Sequence, residues 1–284
     1  MKTTTKTLIA GHFGLIMLLC AGTAAADGWQ LDAHGQVRVR GIVDSSRGDL
    51  KDSGVFEREY LTQRARARLD LKSASSKAWF RMTLQDARIW GEETSPLNDK
   101  TANGLDVQEA FAVLPLVDGL TLKVGRQEII FDNHRLMGNV GWLQRAQSFD
   151  AAKVTFKRDA LRVDAFWTQV SERDSGDNEG SVPAGRGGDI GLLGLRAHYT
   201  LAKTTPTEGK KVKELMGASL VYLMRKNDAT QELRHTAGGI FNGKFGGLKT
   251  TLEAYMQAGD LGTKSISSQL AAVNVGYGLG GAIK

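Results

Sequence analysis

The stretch that most limits what this chain can become runs from Glu57 to Lys72, EREYLTQRARARLDLK. From Arg58 onward every second residue is polar or polar-tipped (Arg58, Tyr60, Thr62, Arg64, Arg66, Arg68, Asp70, Lys72), while Leu61, Ala65, Ala67, Leu69 and Leu71 fill alternate positions. A period of two describes a β-strand with one oily and one wet face. A helix, turning about 100° per residue, would scatter the arginines around its circumference. The wet face of this strand therefore carries a row of fixed positive charge.

Against lipid, each arginine would cost about 2–4 kcal/mol near the bilayer midplane, so three together would lose on the order of 6–12 kcal/mol. A membrane-spanning version of the strand must point them into a watery interior. There, neighbours two residues apart stand about 7 Å from one another and repel by only about 0.6 kcal/mol at the dielectric constant of water. An anion would relieve that repulsion. For this segment alone, a soluble sandwich with a basic outer face is the alternative.

The start of the chain sets the address. Lys2 and Lys6 precede an apolar run from Leu8 to Cys20, and small residues follow, ending Ala24-Ala25-Ala26. This reads as a secretory signal peptide over residues 1–26, with cleavage expected after Ala26. Leu19 before Cys20 argues against a lipoprotein site, and Cys20, the one cysteine, leaves with the signal peptide. The mature chain is then free of disulfides, thiol catalysis and cysteine metal sites. No later apolar run reaches the roughly 18 residues of a membrane helix, so any spanning must be done by a closed barrel of strands. The 34 glycines and 4 prolines suit many tight turns between uninterrupted strands. The formal charge is +6, two of which belong to Lys2 and Lys6, so the arginines matter by placement more than by total.

Alternation recurs along residues 27–284. Strands are predicted at Leu31–Val43, Arg58–Lys72, Ala78–Trp90, Asp106–Leu114, Leu120–Phe131, Phe149–Arg158, Leu161–Val170, Asp189–Tyr199, Leu215–Arg225, Glu232–Asn242, Leu248–Ala258 and Ile266–Tyr277. These twelve are mostly close to the 9 to 11 or so residues that cross a bilayer at a tilt. Links at 44–57, 91–105, 132–148 and 171–188 are long and polar, whereas those at 73–77, 115–119, 159–160 and 243–247 are short. That segregation matches an outer-membrane barrel, with short periplasmic turns and longer external loops. Thr200 to Glu214 is a long link on the short side; it is either a partial plug or an ordinary turn. The fold expected is an all-β, antiparallel transmembrane β-barrel.

Enzyme signatures are poor. His34, His134, His198 and His235 are widely separated, with no HExxH pair, no GxSxG elbow and no GxxxxGK[ST] loop. No cofactor, metal or nucleic-acid partner is expected. What recurs is a cation on the polar face of successive strands: Arg38, Arg40, Arg64, Arg66, Arg68, Arg81, Lys123, Lys153, Arg162, Arg196, Arg234 and Lys249. Asp70, Asp164 and Glu253 share those faces. Rings of Arg or Lys select anions in pores, and guanidinium pairs bidentately with carboxylate.

QDARIWGE (Gln85 to Glu92), VQEAFAVL (Val107 to Leu114), LKVGRQEIIFDNHRLMG (Leu122 to Gly138), Trp142 and SFDA (Ser148 to Ala151) together resemble the alginate export family of outer-membrane barrels. The resemblance is strongest from about residue 31 to 170, and most specific between Val124 and Asp150. It implies a monomeric barrel of eighteen strands that passes an anionic polysaccharide through an arginine-rich constriction. It also adds Arg88, Arg126 and Arg135 to the pore-lining candidates, with Asp86, Asp132 and Asp150 fixing those arginines or the loop geometry. Arg126 shares parity with Leu122 and Val124, so a bulge or a position beyond the lipid band is needed to bring it inward. Twelve strands fall short of eighteen, and the chain ends GYGLGGAIK without a terminal aromatic; it is expected to be a piece of a longer protein, or else a smaller barrel.

The reading is thus a passive outer-membrane channel, embedded in lipid, for an anionic polysaccharide or a small carboxylate solute. Its rivals are a general anion or organic-acid porin, an outer-membrane enzyme, and a structural or adhesion barrel with a closed lumen.

Overall fold

The structure is a computed structural model that describes residues 13–26, 28–44, 58–91, 105–171, 189–205 and 212–278. Every regular element among them is a strand: β1 (Phe13–Ala26), β2 (Trp29–Asp44), β3 (Arg58–Ser73), β4 (Trp79–Ile89), β5 (Asp106–Val117), β6 (Leu120–Gln127), β7 (Phe149–Arg158), β8 (Leu161–Ser171), β9 (Ile190–Lys203), β10 (Glu214–Asn227), β11 (Glu232–Phe245), β12 (Leu248–Leu261) and β13 (Lys264–Tyr277). They are hydrogen-bonded in chain order, with β1 and β13 at the two edges of the sheet, and the pairings from β1 to β4 and from β6 to β13 are antiparallel. The twelve strands predicted from alternation correspond to β2 through β13. The eighteen-strand closure implied by the resemblance is not made by these thirteen.

β1 lies on the segment expected as a signal peptide. It pairs with β2, with a bulge between Leu19 and Gly22, and the expected cleavage point falls at its C-terminal end, before the bend at Gly28.

The connections between strands follow the predicted parity through β9. Short turns close β5 to β6 at 118–119, β7 to β8 at 159–160 and β11 to β12 at 246–247. At Gly119 only glycine fits, because φ is +77° and an added Cβ would lie 2.4 Å from the Lys157 carbonyl oxygen. Most residues of the long links at 44–57, 91–105 and 171–188 lie outside the described residues. The Thr200–Glu214 link is shorter than expected, since β9 runs to Lys203 and Thr204 N–H donates to Lys213 O at 2.8 Å; residues 206–211, where a plug would be sought, lie outside the described residues. Beyond β9 the parity fades, with short links at 228–231 and 262–263 on the side expected to carry long ones.

The chain divides into two compact units, one of Met1–Phe111 with Asn139–Ser148 and one of Ala112–Gly138 with Phe149–Lys284. In the first the usual rule of burial is inverted, and in the second buried polar side chains share the interior with an apolar cluster. In the first unit the buried residues include Asp32, Arg38, Thr62, Arg64 (5 % exposed), Asp70 and Gln85, while Leu31, Leu69 (46 %), Leu71 and Phe80 are exposed on the other face. In the second, Asp164 (2 %), Thr168, Ser219 and Glu253 are buried, and Trp167 (55 %), Leu195, Leu220, Met256 and Val273 are exposed. An apolar outer surface over a polar interior is what a lipid-solvated sheet requires.

Candidate functional site

In the first unit, antiparallel register lines up the polar faces of β2, β3 and β4. Arg38 stands opposite Arg64, Gln36 opposite Arg66, His34 opposite Arg68 and Asp32 opposite Asp70; on the other side of β3, Arg66 meets Gln85, Arg68 meets Thr83 and Asp70 meets Arg81. Directly opposed side chains have Cβ atoms about 4.5–5.5 Å apart, so the arginines crowd one another and need oxygen partners.

One end of this face finds neutral partners in residues 139–148. Arg38 donates from Nε to Gln144 Oε1 at 2.9 Å, from Nη1 to Gly141 O at 3.1 Å and from Nη2 to Leu143 O at 2.6 Å. Arg40 donates to Trp142 O, and Arg64 to Leu143 O at 3.4 Å and Gln36 Oε1 at 2.7 Å. Gln144 Nε2 donates in turn to Thr62 Oγ1 at 2.6 Å, and Gln85 Nε2 to Arg145 O at 2.9 Å. Left-handed backbone at Val140 (φ 49°) and Ala146 (φ 58°), with Gln147 N–H on Asn139 O at 2.7 Å, bends the segment so that its carbonyls face the arginines. Val140 is β-branched and costly there, which the grip of the guanidinium groups offsets.

The other end is charge-compensated. Asp70 takes a bidentate contact from Arg81 at 2.7 and 3.0 Å and lies 3.6 Å from Arg68 Nε; Lys72 Nζ donates to Asp32 Oδ2 at 2.6 Å. Arg81 also sits 5.2 Å from the Trp79 ring centre and 5.6 Å from that of Phe111, and 3.8 Å from Glu109. The described polar face of this unit thus sets seven cations (Arg38, Arg40, Arg64, Arg66, Arg68, Lys72, Arg81) against three carboxylates (Asp32, Asp70, Glu109).

The second unit repeats the pattern around Asp164. Arg162 reaches that carboxylate at 2.7 and 3.0 Å, Thr155 Oγ1 at 2.7 Å, Lys153 Nζ at 3.4 Å and Arg196 Nη1 at 3.5 Å. Lys123 faces Lys153 across the β6–β7 register. Residues 128–138 lie on the same polar face. Ile129, Phe131 and Met137 form a buried cluster with Phe149, Phe166, Val221 and Leu223, and Phe131 meets Phe166 edge-on at 5.5 Å. Gly194 makes room for that ring, since an added Cβ would lie 2.1 Å from Phe166 Cε1. Polar ties complete the attachment: Arg196 to Asp132 at 2.6 Å, Asn133 to Glu253 at 3.0 Å and Arg135 to Glu253 at 2.7 Å. The carboxylate of Glu253 holds the Arg135 guanidinium still more firmly in its charged form than usual.

Of the predicted residues, Arg38, Arg40, Arg64, Arg66, Arg68 and Arg81 share the polar face of the first unit, and Lys123, Lys153 and Arg162 that of the second, joined by Arg196. Arg135 stands on the 128–138 segment. Arg88 and Arg126 fall elsewhere. Arg88 pairs with Asp86 on the face that carries Phe80, Met82 and Leu84, and Arg126 pairs with Asp150 at 3.2 Å on the face of Val124. No bulge turns Arg126 over; Gln127, its neighbour, takes the fully buried position. Asp86 and Asp150 do fix these two arginines, while Asp132 binds Arg196 and not Arg135. The sequence reading missed Gln36, Gln85 and Gln144, and missed that residues 128–148 supply the arginines' partners. The loss of alternation after Gln127, in a run that still contains Ile129, Phe131, Leu136 and Met137, was the available signal. Among the described residues, no group of three or more His, Cys, Asp or Glu is placed to hold a metal ion.

Comparison with curated proteins and with solved structures found no match. A family model described as alginate export matches residues 30–283, running on through β13 well past the motifs quoted above. With an all-β antiparallel sheet and a match over nearly the whole length, the chain belongs to the alginate export family of outer-membrane β-barrels, whose business is polysaccharide transport.

Proposed function

We propose that this protein is a passive conduit for an acidic polysaccharide of the alginate type, and that the polymer travels along the buried cationic face. The observation that carries this reading is the placement of side chains on the strands of the first unit, with Arg38 and Arg64 buried on one face beside half-buried Arg66 and Arg81, and leucines exposed on the other. Uronate carboxylates would exchange places with oxygens that already hold the arginines. Asp70 and Asp164 keep that exchange shallow, because a cation already shared with a fixed carboxylate binds a second one less tightly. Lys123, Lys153 and Arg162 would serve the same path, and Arg135 would act from the inserted segment. Arg88 and Arg126 would not contact the polymer.

The test is conductance in planar bilayers. The channel should prefer anions in a salt gradient and be blocked by added alginate, and changing Arg64, Arg66 and Arg68 together to Ser should weaken both effects. Selectivity unchanged in that triple variant would refute the reading. Passage of small carboxylates with no block by alginate would favour the organic-acid porin.

A further inference from the structure

On β8, β9 and β10 the outer face of the second unit changes character over one step of the strand period. Trp167, Leu193 and Met224 stand side by side across the register, with His235 of β11 next in the row. One row further toward the same strand ends come Gln169, Gly191 and Lys226. Asp189 and Asp228 follow, tied together by the Asp228 N–H, which donates to Asp189 O at 3.0 Å. Gly191 has no side chain to fill the space between Gln169 and Lys226, and these residues line a cavity of about 220 Å³. That is below the roughly 300–1,000 Å³ of a site for a whole drug-sized molecule, so it suits one polar group of a larger ligand.

The rows beneath the cavity fix its depth. Trp167 is exposed on the outer face, and the Tyr222 ring, one row below, stacks on His235 with its hydroxyl 2.7 Å from Nδ1. Leu195, directly opposite Tyr222, and Leu220 beyond it are exposed as well. Aromatic residues with a polar tip collect on barrel exteriors where hydrocarbon gives way to headgroups. The cavity therefore opens at headgroup depth, just above a surface that acyl chains cover.

Its polar groups decide which headgroup fits. Lys226 Nζ already lies 2.9 Å from Asp228 Oδ1, and with Asp189 the cavity sets one cation against two carboxylates. A phosphate would have to draw Lys226 away from Asp228 and would then face both carboxylates at close range. A phosphoethanolamine brings an ammonium that suits the carboxylates, but it brings the same phosphate. A hydroxyl carries no charge and works both ways, donating to a carboxylate and accepting from an ammonium or an amide. A ring of hydroxyls thus matches Asp189, Asp228, Lys226 and Gln169 together. We propose that this cavity seats the sugar headgroup of a glycolipid of the surrounding membrane, whose acyl chains lie along Leu195 and Leu220.

The test is native mass spectrometry of the full chain in detergent micelles, incubated with equimolar monoglucosyl diacylglycerol, phosphatidylethanolamine and phosphatidylglycerol of matched acyl chains. The glycolipid should be retained about five-fold or more over either phospholipid. Gly191→Leu fills the cavity without strain, since an added Cβ meets nothing nearer than Gln169 Oε1 at 3.8 Å, and it should abolish the preference. Asp228→Asn should lower glycolipid retention and raise that of phosphatidylglycerol, because Lys226 is released to a phosphate. Ala197→Leu, which adds bulk lower on the same outer face, should keep the native preference. Equal retention of the three lipids, preference for either phospholipid, or unchanged retention in Gly191→Leu or Asp228→Asn would overturn the proposal; if one variant fails to fold, the other decides. Gly191→Leu should leave anion selectivity in planar bilayers at its native value, so loss of the lipid seat and failure of the polysaccharide conduit are read separately.

Discussion

Arg38→Ala tests whether guanidinium groups hold residues 139–148 against the sheet. Arg38 is buried and donates three hydrogen bonds to that segment, at 2.9, 3.1 and 2.6 Å. A bond from a charged donor is worth about 1.5–3 kcal/mol, but the three share one side chain and water enters the space left behind, so the set should contribute about 2–4 kcal/mol. At 1.36 kcal/mol per ten-fold, the detached population should rise roughly 30- to 900-fold. The amides of Leu143 and Gln147 report it directly, since each is hydrogen-bonded inside the segment, to Val140 O at 2.9 Å and Asn139 O at 2.7 Å. Hydrogen exchange at those amides, measured on protein in lipid, should accelerate by the same factor. Arg40→Ala removes one exposed contact and should accelerate exchange by less than about ten-fold. Exchange in Arg38→Ala within two-fold or so of the native rate, or a larger effect from Arg40→Ala, would show that the arginines decorate the segment without holding it.

Leu69→Arg places a charge among exposed apolar side chains, one position from a tolerated arginine, and should cost about 2–4 kcal/mol of folding stability in bilayers; a urea titration of the lipid-inserted protein measures it. Gly194→Ala forces a methyl into the Phe166 ring and should cost about 1–3 kcal/mol by the same titration, recovered in part by Phe166→Leu. Arg88→Ala and Arg126→Ala should leave anion selectivity at its native value, since both side chains lie on the opposite face; a shift in reversal potential for either would contradict that placement.

Strand positions were legible in the sequence because the fold is local in the relevant sense. Each strand's period of two is set by its own residues, and which of Arg64 or Leu69 is enclosed follows from lipid and water alone. The partners of the arginines were not legible. Arg38 and Gly141 are far apart in the chain, and nothing in either residue announces that a peptide carbonyl will take the place of a solute. Residues 128–148 defeat periodicity altogether, because left-handed turns at Asp132, His134, Val140 and Ala146 reset the direction of successive side chains. Arg126 was a narrower case. Strand parity alone put it beside Val124, and family likeness pulled it toward the interior; parity prevailed because Asp150, directly across the register, neutralises it where it stands.

The row of arginines on β3 also bears on assembly. A slip of one residue against β2 or β4 would turn Arg64, Arg66 and Arg68 toward hydrocarbon and Leu61, Leu69 and Leu71 toward water, a penalty on the order of 6–12 kcal/mol from the charges alone. The groups that would draw an acidic polymer through the finished protein therefore double as a key that admits only one alignment of the nascent sheet.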